Sequence, residues 1–239
     1  MASVLTAKDL RLRFPGAAAP VIEGLDLAVA RGEFLAVVGG SGVGKSTLLR
    51  AVAGLISVDG GAVEVFGEEK PGRRRRAIVF QDGRLMPWRT LAANINYGLE
   101  GLNLSEGERR ARIDEALALT GLSEFADRYP HQLSGGQVQR GGIARALSVQ
   151  PDILLMDEPF SAVDAITRTS LQDELIRIWE ASKAAVLFVT HDISEAVFLA
   201  DRVIVLSGSP AKVALDQKID FARPRERGGD AAEALAARI

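Results

Sequence analysis

A glycine-rich segment that ends in a lysine and two hydroxyl residues has the composition needed to bind a phosphate chain. It consists of Gly39, Gly40, Ser41, Gly42, Val43, Gly44, Lys45, Ser46 and Thr47, and it matches the phosphate-loop pattern G-x-x-x-x-G-K-[ST]. Glycines allow the backbone to curl so that successive N–H groups face one anion, and a helix N-terminus adds partial positive charge. In this pattern Lys45 can reach the β- and γ-phosphates, and the Ser46 hydroxyl can ligate Mg²⁺. The segment therefore predicts that the chain binds a nucleoside triphosphate, whereas the competing interpretation is a glycine-rich turn with a chance lysine.

The segments on either side of this loop have the patterns of a strand and a helix. Residues 34–38 are an unbroken apolar run, as in a strand buried on both faces, and Leu48, Leu49 and Val52 recur at helical spacing. Other apolar or alternating runs predict strands at residues 9–14, 25–29, 62–66, 77–80, 153–156, 185–189 and 203–206. Because helices intervene between the later strands, the sequence predicts an α/β fold with a parallel sheet.

Two adjacent carboxylates follow one of the apolar strands. Residues 153–156 run directly into Asp157 and Glu158, and the carboxyl edge of such a strand adjoins the phosphate loop in doubly wound sheets. Asp157 is then placed to hold the Mg²⁺ shell and Glu158 to polarise an attacking water as general base. The alternative is an acidic exit from a strand with no chemical role.

A second helix start offers bare backbone amides. Ser134 and Gln137 form an S-x-x-Q capping box around Gly135 and Gly136. A helix start of this kind is an anion-binding surface, remote in sequence from the phosphate loop. Two such surfaces in one chain indicate a head-to-tail homodimer in which each copy closes the nucleotide of the other.

Three further residues could take part in the site. His191 follows the strand at residues 185–189 and is interpreted as a contact to the γ-phosphate. Gln81 follows the strand at residues 77–80 and could ligate Mg²⁺ or a water, and Asp164 could reach across a dimer interface.

Composition restricts the class of protein. The chain has 239 residues, a formal net charge of −2 and no cysteine. Its sequence pI near 5.8 gives no electrostatic footprint for nucleic acid. The first residues lack the apolar core of a secretion signal, and no stretch approaches the roughly 20 apolar residues that span a bilayer. We therefore expect a soluble chain whose membrane role, if any, comes through a partner.

Together these motifs, spread over roughly residues 5–215, resemble the ATP-binding cassette family of transporter ATPases. The resemblance implies a P-loop NTPase core of RecA type with an antiparallel β subdomain and an inserted α-helical subdomain. It places the β subdomain and core at about residues 1–90 and 151–215, the helical subdomain at about 91–150, and a C-terminal tail at about 216–239. Residues 221–239 are rich in Arg, Ala, Glu and Gly, a composition that predicts a poorly anchored terminal helix.

The family resemblance also implies roles for individual residues. Phe14 is similar to the aromatic residue that stacks on adenine. Residues 133–137 are similar to the LSGGQ signature that closes the partner's ATP in a sandwich dimer. Hydrolysis would be carried by Glu158, with His191 and Gln81 assisting, and the D-loop would include Asp164.

A finer resemblance concerns the segment that follows Gln81. Residues 84–90 are similar to the L-x-P-W segment of nitrate, sulfonate and taurine importers. This implies a cytoplasmic ATPase subunit, peripheral on the inner face of the cell membrane, with a separate solute-binding protein and a permease docked near Gln81 to Trp88. Burial of Trp88 in the core is the competing interpretation.

The chain departs from the family pattern at Val138, at Val163 and at Gly141-Gly142, where relatives favour Val-Ala. A soluble cassette ATPase acting in nucleic-acid repair, or a regulatory switch, is the alternative function. A non-hydrolysing switch would be expected to lack Glu158, Lys45 or His191, and all three are present.

Overall fold

We describe residues 2–67 and 71–239 of the chain in a computed structural model. The strands are β1 (Ser3–Leu12), β2 (Ile22–Ala30), β3 (Phe34–Gly39), β4 (Gly60–Val65), β5 (Arg76–Val79), β6 (Ile153–Asp157), β7 (Ala185–Val189), β8 (Arg202–Ser207) and β9 (Lys212–Lys218). The α-helices are α1 (Lys45–Ala53), α2 (Leu91–Gly98), α3 (Glu106–Leu119), α4 (Gly135–Ser148), α5 (Ala165–Ser182), α6 (Ile193–Leu199) and α7 (Asp230–Arg238). The chain divides into two compact units, residues 1–66 with 185–239 and residues 67–184. The predicted helical subdomain of residues 91–150 falls within the second unit.

The first unit contains an antiparallel sheet in the order β2-β1-β4. Alternate residues of β2 are buried, including Leu25, Leu27 and Val29, which confirms the strand predicted there. The strand predicted at residues 9–14 begins earlier, at Ser3, and ends at Leu12, because Leu5 and Ala7 are buried and pair with both β2 and β4.

Four more strands of this unit follow the order β7-β3-β8-β9. Strand β3 is parallel to both β7 and β8, and every residue from Phe34 to Val38 is buried, which explains its unbroken apolar sequence. Strand β9 is antiparallel to β8 and was not predicted. The predicted tail from about residue 216 therefore begins inside a strand.

The predicted terminal helix is present as α7, but the prediction that it is poorly anchored is wrong: α7 packs against α6 with Leu235 buried, and the segment between β9 and α7 is tied to the end of α6. Arg225 Nη1 donates hydrogen bonds to the carbonyl oxygens of Val197, Phe198 and Ala200 at 2.8, 3.0 and 2.6 Å. These carbonyls lie at the C-terminus of the helix, where cations are favourable. Burial, followed by the nearby charge of Arg223, lowers the pKa of Arg225 to about 10, which leaves the guanidinium charged at neutral pH.

The second unit combines the parallel pair β5-β6 with helices α2 to α5. Helix α3 begins at a capping box: the Ser105 hydroxyl accepts from the Glu108 amide, and the Glu108 carboxylate accepts from the Ser105 amide at 2.8 Å. The helix ends at Leu119, just before Gly121, whose φ is +63°. Its apolar face packs against α2 and α4 in a core that includes Leu91, Ile95, Leu99, Ile113, Leu117, Leu122 and Ala144.

Candidate nucleotide-binding and catalytic site

The phosphate-loop segment has the strand–loop–helix structure that the sequence predicts. It leaves β3 at Gly39 and enters α1 at Lys45. The N-cap of α1 is Gly44, at φ +113°, and it has no side-chain cap and no acidic residue in the first turn. The helix therefore begins with its amides open to an anion. A Cβ added at Gly40 or Gly42 would meet no other atom within 4 Å, so the outer side of this loop is open for a ligand.

Lys45 is held back over the loop from which it comes. Its side chain is buried, and Nζ donates to the carbonyl oxygens of Gly39 and Gly40 at 2.8 and 3.1 Å. A cation fixed in this way contributes positive charge at the concave side of the loop. Ser46 and Thr47, in the first turn of α1, are half-buried.

Strand register places His191 at the same sheet edge as the phosphate loop. Val37 of β3 pairs with Val189 of β7, so Gly39 and His191 each lie two residues past a paired position, at the carboxyl end of neighbouring parallel strands. His191 is exposed at this edge. The predicted proximity of His191 to the phosphate loop is thus supported by pairing within one unit.

A buried polar network directly after β7 fixes the segment that carries His191. The Thr190 hydroxyl donates to Glu195 Oε2 at 2.6 Å and accepts from the Asp192 amide at 3.1 Å. Asp192 caps α6 by accepting from the Glu195 amide at 3.0 Å. Sequence reasoning missed these three residues. The only available signal was the D-x-x-E spacing after a strand, which is typical of a helix start.

Phe14 lies in the turn after β1, where its carbonyl accepts from the amide of Ala17. Its ring is 45% exposed. An aromatic ring open to solvent on a turn is free to stack on a planar base, which is the role the family resemblance implies.

In the second unit, strand register brings Gln81 and Glu158 to one edge. Val79 of β5 pairs with Met156 of β6, so both residues lie two positions beyond a paired position, at the carboxyl end of parallel strands. Asp157 is the last residue of β6, and both acidic residues are half-buried. The predicted strand-end carboxylates are therefore present, with Gln81 on the neighbouring strand.

Glu158 has a backbone conformation that is costly for a side-chain-bearing residue. Its φ is +45°, in the left-handed region. The turn is held by Ser161, whose hydroxyl and amide both donate to the Glu158 carbonyl at 2.9 and 3.2 Å. Backbone strain of this kind is concentrated at functional sites because it directs one side chain.

The signature segment forms the predicted helix start. The Ser134 hydroxyl accepts from the Gln137 amide at 3.3 Å, and Gln137 Oε1 accepts from the Ser134 amide at 2.7 Å. Ser134 and Gly135 are exposed at the start of α4, whereas a Cβ on Gly136 would lie 3.2 Å from Thr167 Cγ2. The predicted capping box is confirmed, and the role of these residues toward ATP stays a prediction.

Asp164 caps helix α5, a function that the sequence analysis did not assign to it. Its carboxylate accepts from the Thr167 amide at 3.0 Å, and this hydrogen bond lowers the pKa of Asp164. The cap places Asp164 on the exposed side of the unit, so its predicted contact across a dimer stays a prediction.

The candidate metal ligands have the chemistry that Mg²⁺ prefers. Ser46, Gln81 and Asp157 supply oxygen donors, and Mg²⁺ is commonly held by one or two carboxylates together with substrate phosphates and water. Within residues 2–67 and 71–239, no group of three His, Cys, Asp or Glu side chains forms a metal-binding cluster. Ser46 lies in the first unit and Gln81 and Asp157 in the second, and their role toward Mg²⁺ stays a prediction.

The segment after Gln81 has its backbone fixed by a buried side chain and carries an exposed aromatic residue. Asn94, buried in α2, accepts from the Met86 amide at 2.6 Å and donates to the carbonyls of Met86, Arg89 and Thr90 at 3.0–3.1 Å. Trp88 is 72% exposed. Burial of Trp88 in the core is thus ruled out, and Asn94 is a residue that sequence reasoning missed.

Comparison with known proteins identifies the family. Residues 22–161 match the model of the ABC transporter family. The taurine import ATP-binding protein of Pseudomonas syringae is 43% identical over 98% of this chain and 89% of its own length. The aliphatic sulfonates import ATP-binding protein of a Mycobacterium species is 46% identical over 96% of this chain and 89% of its own length.

The fold agrees with a solved structure as well. An ATP-binding cassette determined as a dimer in a post-hydrolysis state, bound to ADP and Pi, superposes with a TM-score of 0.75 at 30% identity, covering 91% of this chain and 100% of that one. The predicted P-loop NTPase fold is confirmed. The chain belongs to the ABC transporter family and carries its ATPase domain. Across the part of the chain that is described, no helix is long and apolar enough to cross a bilayer.

Proposed function

We propose that this chain is the ATP-hydrolysing subunit of an ABC importer that energises uptake of a small solute through a separate permease. The observation that carries the proposal is the set of polar residues at the strand ends. In one unit the phosphate loop and His191 share a carboxyl edge, and in the other Gln81 and Glu158 do so. Family membership and full-length similarity to import ATPases support the same conclusion.

In the proposed reaction, the amides of the phosphate loop and Lys45 bind the β- and γ-phosphates of ATP while Phe14 stacks on the adenine. Glu158 accepts a proton from the water that attacks the γ-phosphate, and His191 donates a hydrogen bond to a γ-phosphate oxygen. Ser46, Gln81 and Asp157 would hold Mg²⁺, which neutralises charge on the phosphate oxygens when bound.

We infer a second copy of this chain as partner in the ATP-bound state. Ser134, Gly135, Gly136 and Gln137 would contact the γ-phosphate held by the other copy, with Asp164 at the interface. The exposure of Ser134 and Gly135 at the start of α4 supports this assignment, and the similar cassette was solved as a dimer.

We infer that the transported solute is a small anion or zwitterion of the kind named in its relatives, such as taurine, an aliphatic sulfonate or nitrate. Bicarbonate and nitrate import proteins, at 43% and 46% identity, support the same solute class. In this proposal the chain works on the cytoplasmic face of the membrane, with a permease that contacts the segment around Trp88 and a separate solute-binding protein.

Replacement of the general base tests the catalytic assignment. Glu158→Gln keeps the shape and hydrogen-bonding groups of the side chain but cannot accept the proton, so phosphate release should fall by at least about 100-fold. ATP binding should persist, and size-exclusion chromatography with ATP and Mg²⁺ should show a stable dimer.

The control is Glu64→Gln, which changes an exposed carboxylate on β4. It should hydrolyse ATP at the wild-type rate. Wild-type phosphate release by Glu158→Gln would rule out Glu158 as the base.

A further inference from the structure

The signature helix and the loop that carries Gln81 touch backbone to backbone. A Cβ added to Gly142 of α4 would lie 2.9 Å from both the Cα and the carbonyl oxygen of Gly83. A Cβ added to Gly83 would in turn lie 2.8 Å from the carbonyl oxygen of Val138, and the φ of Gly83 is +66°. Only glycine fits on either side of this contact, because no flexible side chain is available to move away.

Two side chains of the same helix hold the loop on both sides of Gln81. Arg145 donates from Nη2 to the Gly83 carbonyl at 2.8 Å and from Nη1 to the Arg84 carbonyl at 2.7 Å. Gln139 donates from Nε2 to the Phe80 carbonyl at 3.3 Å. Partial burial lowers the pKa of Arg145, and a guanidinium in such a place is stabilised by carbonyl partners.

The loop itself is closed by local contacts. Arg84 has a φ of +44°, and its guanidinium lies 3.8 Å from the centre of the Phe80 ring. Its Nε is 3.6 Å from Asp82 Oδ1. Gln81 is exposed on this closed loop, so its backbone is restrained while its side chain faces outward.

We propose that Gly142 and Arg145 are positioning residues that bind the Gln81 loop to the signature helix, so that Gln81 and the segment leading to Trp88 move together with α4. The inference rests on the proposed function for the role of Gln81. It also accounts for the glycine at position 142, because a side chain there would overlap the Gly83 backbone and push the loop off the helix. A Cβ on Gly141, by contrast, would meet only the side-chain tips of Leu91 and Leu85, at 2.8 and 3.0 Å.

Hydrogen exchange tests the physical contact without reference to activity. In Gly142→Ala and in Arg145→Ala, amide exchange across residues 80–86 should accelerate by at least about tenfold, because the restraining contacts are lost. The matched control is Gly107→Ala in α3, where an added Cβ meets no atom within 4 Å and exchange at residues 80–86 should not change. Unchanged exchange at residues 80–86 in Arg145→Ala would overturn the inference, even if Gly142→Ala failed to fold.

A double-mutant cycle tests the positioning role. If Gly142 and Arg145 act through Gln81, Gly142→Ala and Arg145→Ala should lower kcat for ATP hydrolysis by about tenfold with the KM for ATP nearly unchanged. In the Gln81→Ala background the same substitutions should lower kcat by less than about twofold, because coupled residues are not additive. Effects that multiply fully in the double variants would contradict the positioning role.

The two experiments separate this inference from the proposed function. If the wild-type chain hydrolyses no ATP but both variants exchange faster at residues 80–86, the contact between the loop and α4 is supported and the proposed function is contradicted. If both variants hydrolyse ATP at the wild-type rate and their exchange at residues 80–86 is unchanged, the proposed function stands and the inferred coupling is contradicted.

Discussion

Adjacent glycines of the phosphate loop face different surroundings. A Cβ on Gly39 would lie 2.5 Å from the carbonyl oxygen of Leu206, in the strand beside β3. A Cβ on Gly40 would meet nothing within 4 Å. One glycine is therefore required by packing against the sheet, whereas the other leaves room where a phosphate would lie.

This difference predicts a large loss of stability for one alanine substitution and almost none for the other. Gly39→Ala should lower the free energy of unfolding by about 1–3 kcal/mol, because the new methyl group overlaps backbone that cannot move aside. Gly40→Ala should change it by less than about 0.5 kcal/mol. Urea denaturation of both variants measures the difference, and equal losses would show that the loop relaxes freely at Gly39.

At the scale of elements, three helix starts are fixed by local side-chain hydrogen bonds. Helices α3, α4 and α5 each begin at a side-chain cap, provided by Ser105, Ser134 and Asp164. Two of these starts coincide with the signature segment and the D-loop, so the caps that define the helices also position proposed functional residues.

Removing the α3 cap should destabilise the second unit in a pH-dependent way. Ser105→Ala should cost roughly 1 kcal/mol at neutral pH. Hydrogen bonds from the Ser105 hydroxyl and amide lower the pKa of Glu108 below its ordinary value of 4.5. A carboxyl group with a lowered pKa in the folded state stabilises above its unfolded pKa, and this contribution disappears as the pH falls through the folded value.

The difference in stability between wild type and Ser105→Ala should therefore shrink as the pH is lowered below about 4.5. Thermal unfolding across pH 3 to 7 measures it. The control is Glu115→Gln, which removes an exposed carboxylate of the same helix. In that background the stability difference caused by Ser105→Ala should be the same and should change with pH in the same way. If the stability difference between wild type and Ser105→Ala is the same at every pH, the role of Glu108 in the cap is contradicted.

At the scale of the whole molecule, one exposed aromatic side chain stands on a rigid support. Trp88 is 72% exposed, and the backbone beneath it is fixed by four hydrogen bonds to the buried Asn94. Arg89 lies next to it, with its guanidinium 5.2 Å from the centre of the Tyr97 ring. A preorganised aromatic anchor loses little entropy on binding, which suits a surface that engages a permease.

Trp88→Ala should leave the free energy of unfolding nearly unchanged, because an exposed side chain contributes little to folding. It should abolish both co-purification with a co-expressed permease and the associated solute uptake. The matched control is Leu55→Ala, an exposed apolar residue at 57% exposure in the other unit. Asn94→Ala should weaken the same association indirectly, by loosening the support of Trp88. Full uptake by Trp88→Ala would place the permease contact elsewhere.

Local chemistry was enough to locate most of the elements and the candidate site. The phosphate loop follows a buried strand and precedes a helix, and the starts at Ser105 and Ser134 depend on side chains within three residues. Such features are written in short segments, so the sequence alone determines them. The strand at residues 185–189 was predicted at its observed bounds for the same reason.

Tertiary structure decided what depends on contacts between distant segments. Strand β9, the earlier start of β1, the anchoring of the tail by Arg225 and the support of Trp88 by Asn94 have no local signal. The pairing of β5 with β6 brings Gln81 beside Glu158, which lies far along the chain. The sequence by itself determined the strand–loop–helix order at the phosphate loop and the capped helix starts, because these features are local. Only the folded chain decided which of the candidate residues are neighbours and why residue 142 is glycine, because close approach of two backbones is a property of packing.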